Sequence, residues 1–287
     1  MTRKTPQARF AVIGGSGLYD MKGLQDVSRV RVKTPFGPPS DAVVLGTLAG
    51  VRCAFLPRHG RGHVLTPTEL NGRANIYALK SLGVDCILGF GAVGSLREEL
   101  APRHFVFPDQ LVDETKRRVS TFFGDGVVAH VAFAHPFCGA VQAVLYDEAL
   151  RLGLTAHRGG TYCCMEGPAF STRAESEMHR KLGYSIIGMT VIPEAKLARE
   201  AEICYAPIAM ITDYDCWKEE DEVSTSKVVE HLMANVENAQ KLVLAALPKL
   251  AAARRECQCR TALRNAVFTQ KGALNKRTAR KLALLLG

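Results

Sequence analysis

Two carboxylates, Asp213 and Asp215, stand two residues apart at the end of an apolar run, in Ala209-Met210-Ile211-Thr212-Asp213-Tyr214-Asp215-Cys216-Trp217. Residues 203–211 read as a buried strand, and side chains i and i+2 of a strand share a face. The pair would then sit at a strand's C-terminal edge, where α/β proteins gather their ligands. Two acids that close raise at least one pKa, so one can hold a proton near neutrality. A proton donor beside an acceptor fits one edge of a 6-aminopurine, whose N7 accepts and whose amino group donates. The same residues would also serve as a surface turn, because Asp is common at strand ends.

Other short polar motifs lie just after apolar runs. Gly14-Gly15-Ser16-Gly17 fails the dinucleotide spacing in both registers and lacks the Lys of a phosphate-binding P-loop. Either it is a plain glycine turn, or its N–H groups and the Ser16 hydroxyl hold a small anion. Arg58-His59 offers a guanidinium fork and an imidazole donor to the same anion, although an Arg in a loop is often only solvated. Gly91-Ala92-Val93-Gly94-Ser95 and Met189-Thr190 end two further strands. Phe170, in the loop 166–171, could cover a purine ring or simply pack under its own segment. His130 could reach a sugar or be a core histidine. If the strand ends converge, the parts suit phosphorolysis of an N-glycosidic bond. Asp213 would protonate the leaving purine, and a bound phosphate would stabilise and capture an oxocarbenium-like sugar. Phosphate is then a co-substrate, and no metal or organic cofactor is required.

The elements that must position these residues alternate. Strands are expected over 10–14, 43–48, 52–56, 86–90, 105–112, 185–189 and 203–211. Helices are expected over 68–82, 141–152, 175–182, 193–201 and 226–247, several closed by glycine. The fold class is therefore α/β: a single domain, residues 1–250, with a central mixed β-sheet flanked by helices, followed by a basic helical extension over 251–287.

The chain has 287 residues, is 47% hydrophobic and carries a net charge of +9. Nine basic residues against Glu256 lie beyond residue 250, so the body is nearly neutral. With Phe268 as its one aromatic, the tail suits an amphipathic helix docked on the body or a neighbour better than a nucleic-acid interface. No apolar run matches a membrane span, and the polar N-terminus does not resemble a secretory signal, so a cytoplasmic location is expected. Nine cysteines at irregular spacing are expected to be reduced; Cys163-Cys164 and Cys257-Gln258-Cys259 lack the partner spacing of a zinc site.

Collinear segments over residues 10–247 carry a family resemblance. They include Val12-Ile13-Gly14-Gly15-Ser16-Gly17, Thr34-Pro35-Phe36-Gly37-Pro38-Pro39, Arg58-His59-Gly60-Arg61, Asn71-Gly72-Arg73-Ala74-Asn75, Met165-Glu166-Gly167-Pro168 and the segment 204–218. In these the chain resembles the trimeric purine nucleoside phosphorylases, in particular their 5′-methylthioadenosine branch. The resemblance implies phosphorolysis of S-methyl-5′-thioadenosine to adenine and 5-methylthioribose 1-phosphate, with adenosine or a 6-oxopurine nucleoside as the alternative substrate. It implies a phosphate site of Ser16, Arg58, His59, Gly91, Ala92 and Thr190. Substrate contacts are expected from Met189, Phe170, Tyr214, Asp213 and Asp215, and from His130 of a neighbouring subunit in a homotrimer or a dimer of trimers. Specificity is expected at Ser171, Thr225, Val228 and Val229. Three positions depart from the family: Ser16 and Gly91 stand where Thr is frequent, and Thr225 stands where an apolar residue is. A hydroxyl at 225 would admit a 5′-OH.

Overall fold

A computed structural model describes residues 6–15, 17–18, 21–218 and 225–287, with side chains 225–228 and 271 left aside. Eleven strands form one sheet among the described residues. Its path runs β2 (Gln25–Val30), β3 (Val43–Leu48), β4 (Val51–Pro57), β1 (Phe10–Gly14), β5 (Cys86–Ser95), β10 (Ile186–Gly188), β9 (Thr161–Cys164) and β7 (Gln110–Asp113). A branch leaves β5 through β11 (Cys204–Asp213) to β6 (Phe105–Phe107) and β8 (Ala156–Arg158). The central strands β4, β1, β5 and β11 are parallel, so their C-terminal ends open on one edge.

Strand alternation divides the core into two layers, one on each face of the sheet. Ala11, Ile13, Ile87, Tyr205, Ala209 and Ile211 face one side. There α1 (Gly72–Ser81), α4 (Val191–Glu200) and α6 (Lys276–Leu286) cover them with Ile76, Leu79, Ala195, Leu197, Leu282 and Leu285. Phe10, Val12, Leu88, Phe90, Ile208 and Met210 face the other side. There α2 (Gly139–Arg151) and α5 (Thr225–Ala252) supply Val141, Leu145, Leu242, Val243 and Leu247. The remaining helix, α3 (Arg173–Lys181), begins with a capping box between Thr172 and Glu175 and turns Ser176 and His179 inward.

The expected mixed sheet flanked by helices is present, with local corrections. The 105–112 strand is two strands, because Pro108 has no N–H for a continuous ladder; β6 pairs with β11 and β8, whereas β7 pairs with β9. The 68–82 helix is a short 3₁₀ turn followed by α1, which starts where the Asn71 side chain accepts from Ala74 N at 3.1 Å. Strands β2, β8 and β9 escape a sequence reading. β2 is a polar, largely exposed edge strand, and the other two have only three or four residues. The basic tail packs onto the body: Leu282 and Leu285 are buried, and Lys281 lies over the Phe36 ring. No helix among the described residues is long and apolar enough to cross a membrane.

Candidate active site

A cavity of about 520 Å³ opens at the C-terminal edge of the parallel strands. Gly15 after β1, Arg58 and His59 after β4, Gly91 and Ala92 on β5, Met189 and Thr190 after β10, and Asp213 and Asp215 around the end of β11 all line it. The five strand ends therefore do converge. Ser16 lies outside the described residues; Gly15 lines the cavity, and Gln240 of α5 donates to Gly17 O at 2.6 Å.

Arg58 is fully buried, and Glu194 of α4 explains why it can be. Its Nε and Nη2 donate to the two Glu194 oxygens at 2.5 and 3.1 Å, and Nη1 donates to Phe90 O at 2.5 Å. The fork expected to clamp an anion thus faces a carboxylate, and two of the five guanidinium N–H donors remain for a ligand. Glu194 also accepts from the Tyr205 hydroxyl at 2.8 Å. His59 Nδ1 lies 2.9 Å from Leu65 O; a carbonyl only accepts, so Nδ1 carries the proton. Burial, with the Arg58 charge beside it, pushes the imidazole down to about 4. The neutral ring therefore offers an anion no second N–H until it takes up a proton. Thr190 comes close to Gly91: a β-carbon at 91 would stand 2.6 Å from the Thr190 hydroxyl oxygen.

The carboxylate pair is present, but not through simple strand alternation. β11 ends at Asp213, and Asp215 has φ 53°, in the left-handed region. Asp213 Oδ1 accepts from the Asp215 backbone N–H at 2.8 Å, making a side-chain-stabilised turn. The turn reading and the paired-carboxylate reading are thus both realised. Burial is the main cause of a raised proton affinity at Asp213, with the Asp215 charge adding to it. Asp215 is raised by burial as well, against the nearby Ser176 and Ser171 hydroxyls, yet its Oδ2 has no hydrogen-bond partner within proper geometry. Thr212 can assist a proton on Asp213. Its hydroxyl lies 2.7 Å from Asp213 Oδ2 and 3.3 Å from Val93 O, so it can turn from one acceptor to the other.

Around these groups stand the walls for an organic substrate. Phe170 lines the cavity while 70% exposed. Met189 packs against Gly167, where φ is +69° and any β-carbon would strike the Met189 sulfur. Arg118 ties these pieces together by donating to Met165 O, Glu166 O, Met189 O and Ile192 O. From α5 come Leu232 and Val236, one and two turns beyond Val229, which is itself half exposed. Side chains of Thr225 and Val228 lie outside the described set.

Besides Val229, three predicted residues stand apart from the cavity lining within one chain. Tyr214 packs edge-on against Trp217 and donates to Glu98 O at 3.3 Å. Ser171 lies just behind the cavity, where its carbonyl receives the Cys216 thiol. His130 is exposed on the far loop, edge-on to Phe268 of the tail. Sequence reasoning missed Glu194, Arg118, Leu232 and Val236. Helical spacing from Val229 was available for the last two; nothing local marks the first two.

Comparison with known proteins places the geometry in a family. The family model described as "Phosphorylase superfamily" matches residues 9–248. S-methyl-5′-thioadenosine phosphorylase of Geobacter sulfurreducens is 56% identical over 280 residues, covering 97% of this chain and 98% of that protein. The structure of a methylthioadenosine phosphorylase from an antarctic soil metagenomic library superposes with a TM-score of 0.95 at 49% identity, covering 99% of this chain and 100% of that one. Methylthioadenosine phosphorylase from Schistosoma mansoni, solved in complex with adenine, gives 0.80 at 35% identity over 97% of this chain and 98% of its own. With a family match across most of its length and relatives sharing half its residues, this chain belongs to the phosphorylase superfamily, among the S-methyl-5′-thioadenosine phosphorylases.

Proposed function

We propose that the chain cleaves S-methyl-5′-thioadenosine with inorganic phosphate, giving adenine and 5-methylthioribose 1-phosphate. One observation carries the reading: two carboxylates with raised proton affinity, Asp215 buried and Asp213 half-buried, share a cavity with Arg58, His59, Gly91 and Thr190. Phosphate sits at the strand ends between Arg58 and Thr190. Its oxygen bonds to C1′ as the C1′–N9 bond breaks, and the bond's electron pair passes into the purine. Asp213 delivers a proton to N7, so adenine leaves neutral rather than as an anion. Asp215 Oδ2, an acceptor without a donor, receives the adenine amino group. Phosphate charge stabilises the cationic sugar at the moment of bond exchange.

In this reading the working unit is a homotrimer in the cytoplasm, with His130 completing a neighbour's 5′ pocket. That assignment is supported by the exposure of His130 at a loop tied to the tail through His130 N and Ala266 O, 2.8 Å apart. Asp at 213 favours a 6-aminopurine over a 6-oxopurine, whose O6 would need a donor. Purine release from methylthioadenosine, adenosine and inosine, each with and without phosphate, tests the assignment. Adenine release that requires phosphate and is fastest from methylthioadenosine is the expected result. Phosphate-independent release, or none from any substrate, would overturn it.

A further inference from the structure

At the opposite edge of the sheet from the cavity, four cysteine sulfurs come together. Cys204 opens β11, whose C-terminal end carries Asp213 about 30 Å away at the rise of a strand. Cys138 is the N-cap of α2, Cys259 opens a 3₁₀ turn in the C-terminal tail, and Cys257 lies two residues before it. All four Sγ atoms lie within 4.8 Å of one another, and Cys204 and Cys257 are 3.5 Å apart. Three of the four are buried and Cys257 is half-buried, which leaves one side of the cluster open to solvent.

We propose that Cys138, Cys204, Cys257 and Cys259 bind a single zinc ion in a tetrahedral, tetrathiolate structural site. A tetrahedron with Zn–S bonds of about 2.3 Å has edges of roughly 3.8 Å. The sulfurs already stand at or within about an ångström of that edge. Four sulfurs closing on one centre are more than a disulfide needs, since a disulfide calls for one pair at about 2.05 Å. The surroundings also suit thiolates. Cys138 sits at the positive N-terminal end of α2. The Arg255 guanidinium lies by Cys86 and Cys204 and is held by Asp85 Oδ1 at 2.6 Å, offsetting part of the double negative charge of four thiolates and one divalent ion. Binding would release the thiol protons to solvent, with no change of oxidation state. The C-x-C pair alone gives no zinc spacing; the fold supplies its partners from α2 and β11. The site joins the start of the tail to the sheet and takes no part in the phosphorolysis proposed above.

Elemental analysis of the full-length chain, purified with reductant and without chelator, is expected to give about one zinc per chain. Titration with a mercurial should release that zinc as the cluster thiols react. Cys257→Ser, at the half-buried position, is expected to weaken zinc binding at least 100-fold, while Cys53→Ser, outside the cluster, retains full occupancy. Cobalt(II) loaded into the wild-type chain should show the visible bands and thiolate charge transfer of a tetrahedral tetrathiolate site, which keeps the test independent of whether the variants fold. Occupancy below a tenth after incubation with stoichiometric zinc and intact thiols would overturn the proposal. So would cobalt spectra lacking thiolate charge transfer, or mass spectra showing these cysteines paired as disulfides in reduced protein.

Discussion

Replacing Glu194 by Gln removes one charge from the deepest polar contact of the cavity and leaves its volume almost unchanged. Glu194 accepts three hydrogen bonds, two from Arg58 and one from Tyr205. A glutamine keeps one acceptor oxygen and turns an NH₂ donor toward another donor. Arg58, only 2% exposed, then keeps a charge with no counter-charge beside it. Breaking a buried pair in this way costs about 3–5 kcal/mol, whatever the intact pair contributes. Urea unfolding of Glu194→Gln in phosphate-free buffer is expected to show that loss. Phosphate should then restore part of it, because the anion binds the folded state and supplies the missing negative charge. If the variant holds phosphate tenfold more tightly than wild type does, the gap narrows by about 1.4 kcal/mol at saturation. A loss below about 1 kcal/mol would refute the argument for the pair. A gap that phosphate leaves unchanged would refute the placement of Arg58 against the anion.

Three further outcomes are expected. Asp213→Asn should lower kcat/KM for adenine nucleosides by about 10²- to 10⁴-fold, the ordinary worth of general acid catalysis, and lower it much less for inosine; parallel steady-state assays read the ratio. Gly91→Ala should raise the KM for phosphate, since its β-carbon meets the Thr190 hydroxyl at 2.6 Å; an unchanged phosphate KM would remove Thr190 from the anion site. His59 binds its proton near 4 when folded and near 6.5 when unfolded, so between those values the unfolded chain holds more protons and stability falls as pH drops. Urea unfolding in phosphate-free buffer at pH 7 and pH 5 should therefore cost wild type about 1–2 kcal/mol more than His59→Gln.

The polar motifs were legible because each interrupts an apolar run, and an interruption at a strand end is a local signal. The carboxylate pair was legible in its identity but not in its mechanics: Asp215 adopts a left-handed turn that no alternation rule anticipates. Glu194 follows Pro193 in an ordinary helical stretch, and nothing near it distinguishes a buried anion from a solvated one. Its partner Arg58 is 136 residues away, and only the packing of α4 across the sheet brings them together. The cysteines illustrate the same limit. Irregular spacing along the chain hid a grouping that depends on where α2 begins, where β11 begins and how the tail returns.

Arg118 has a consequence for how this cavity can change over evolutionary time. By holding carbonyls from residues 165–166 and 189–192 in one grip, it makes two walls a single rigid body. Substitutions there must satisfy both segments at once, and few will. Phe170, 70% exposed in the same wall, carries no such obligation, and exchanges at so open a position ordinarily shift stability by less than about 0.5 kcal/mol. New substrate preferences should therefore arise first at the rim around Phe170, with the interior of the cavity changing last.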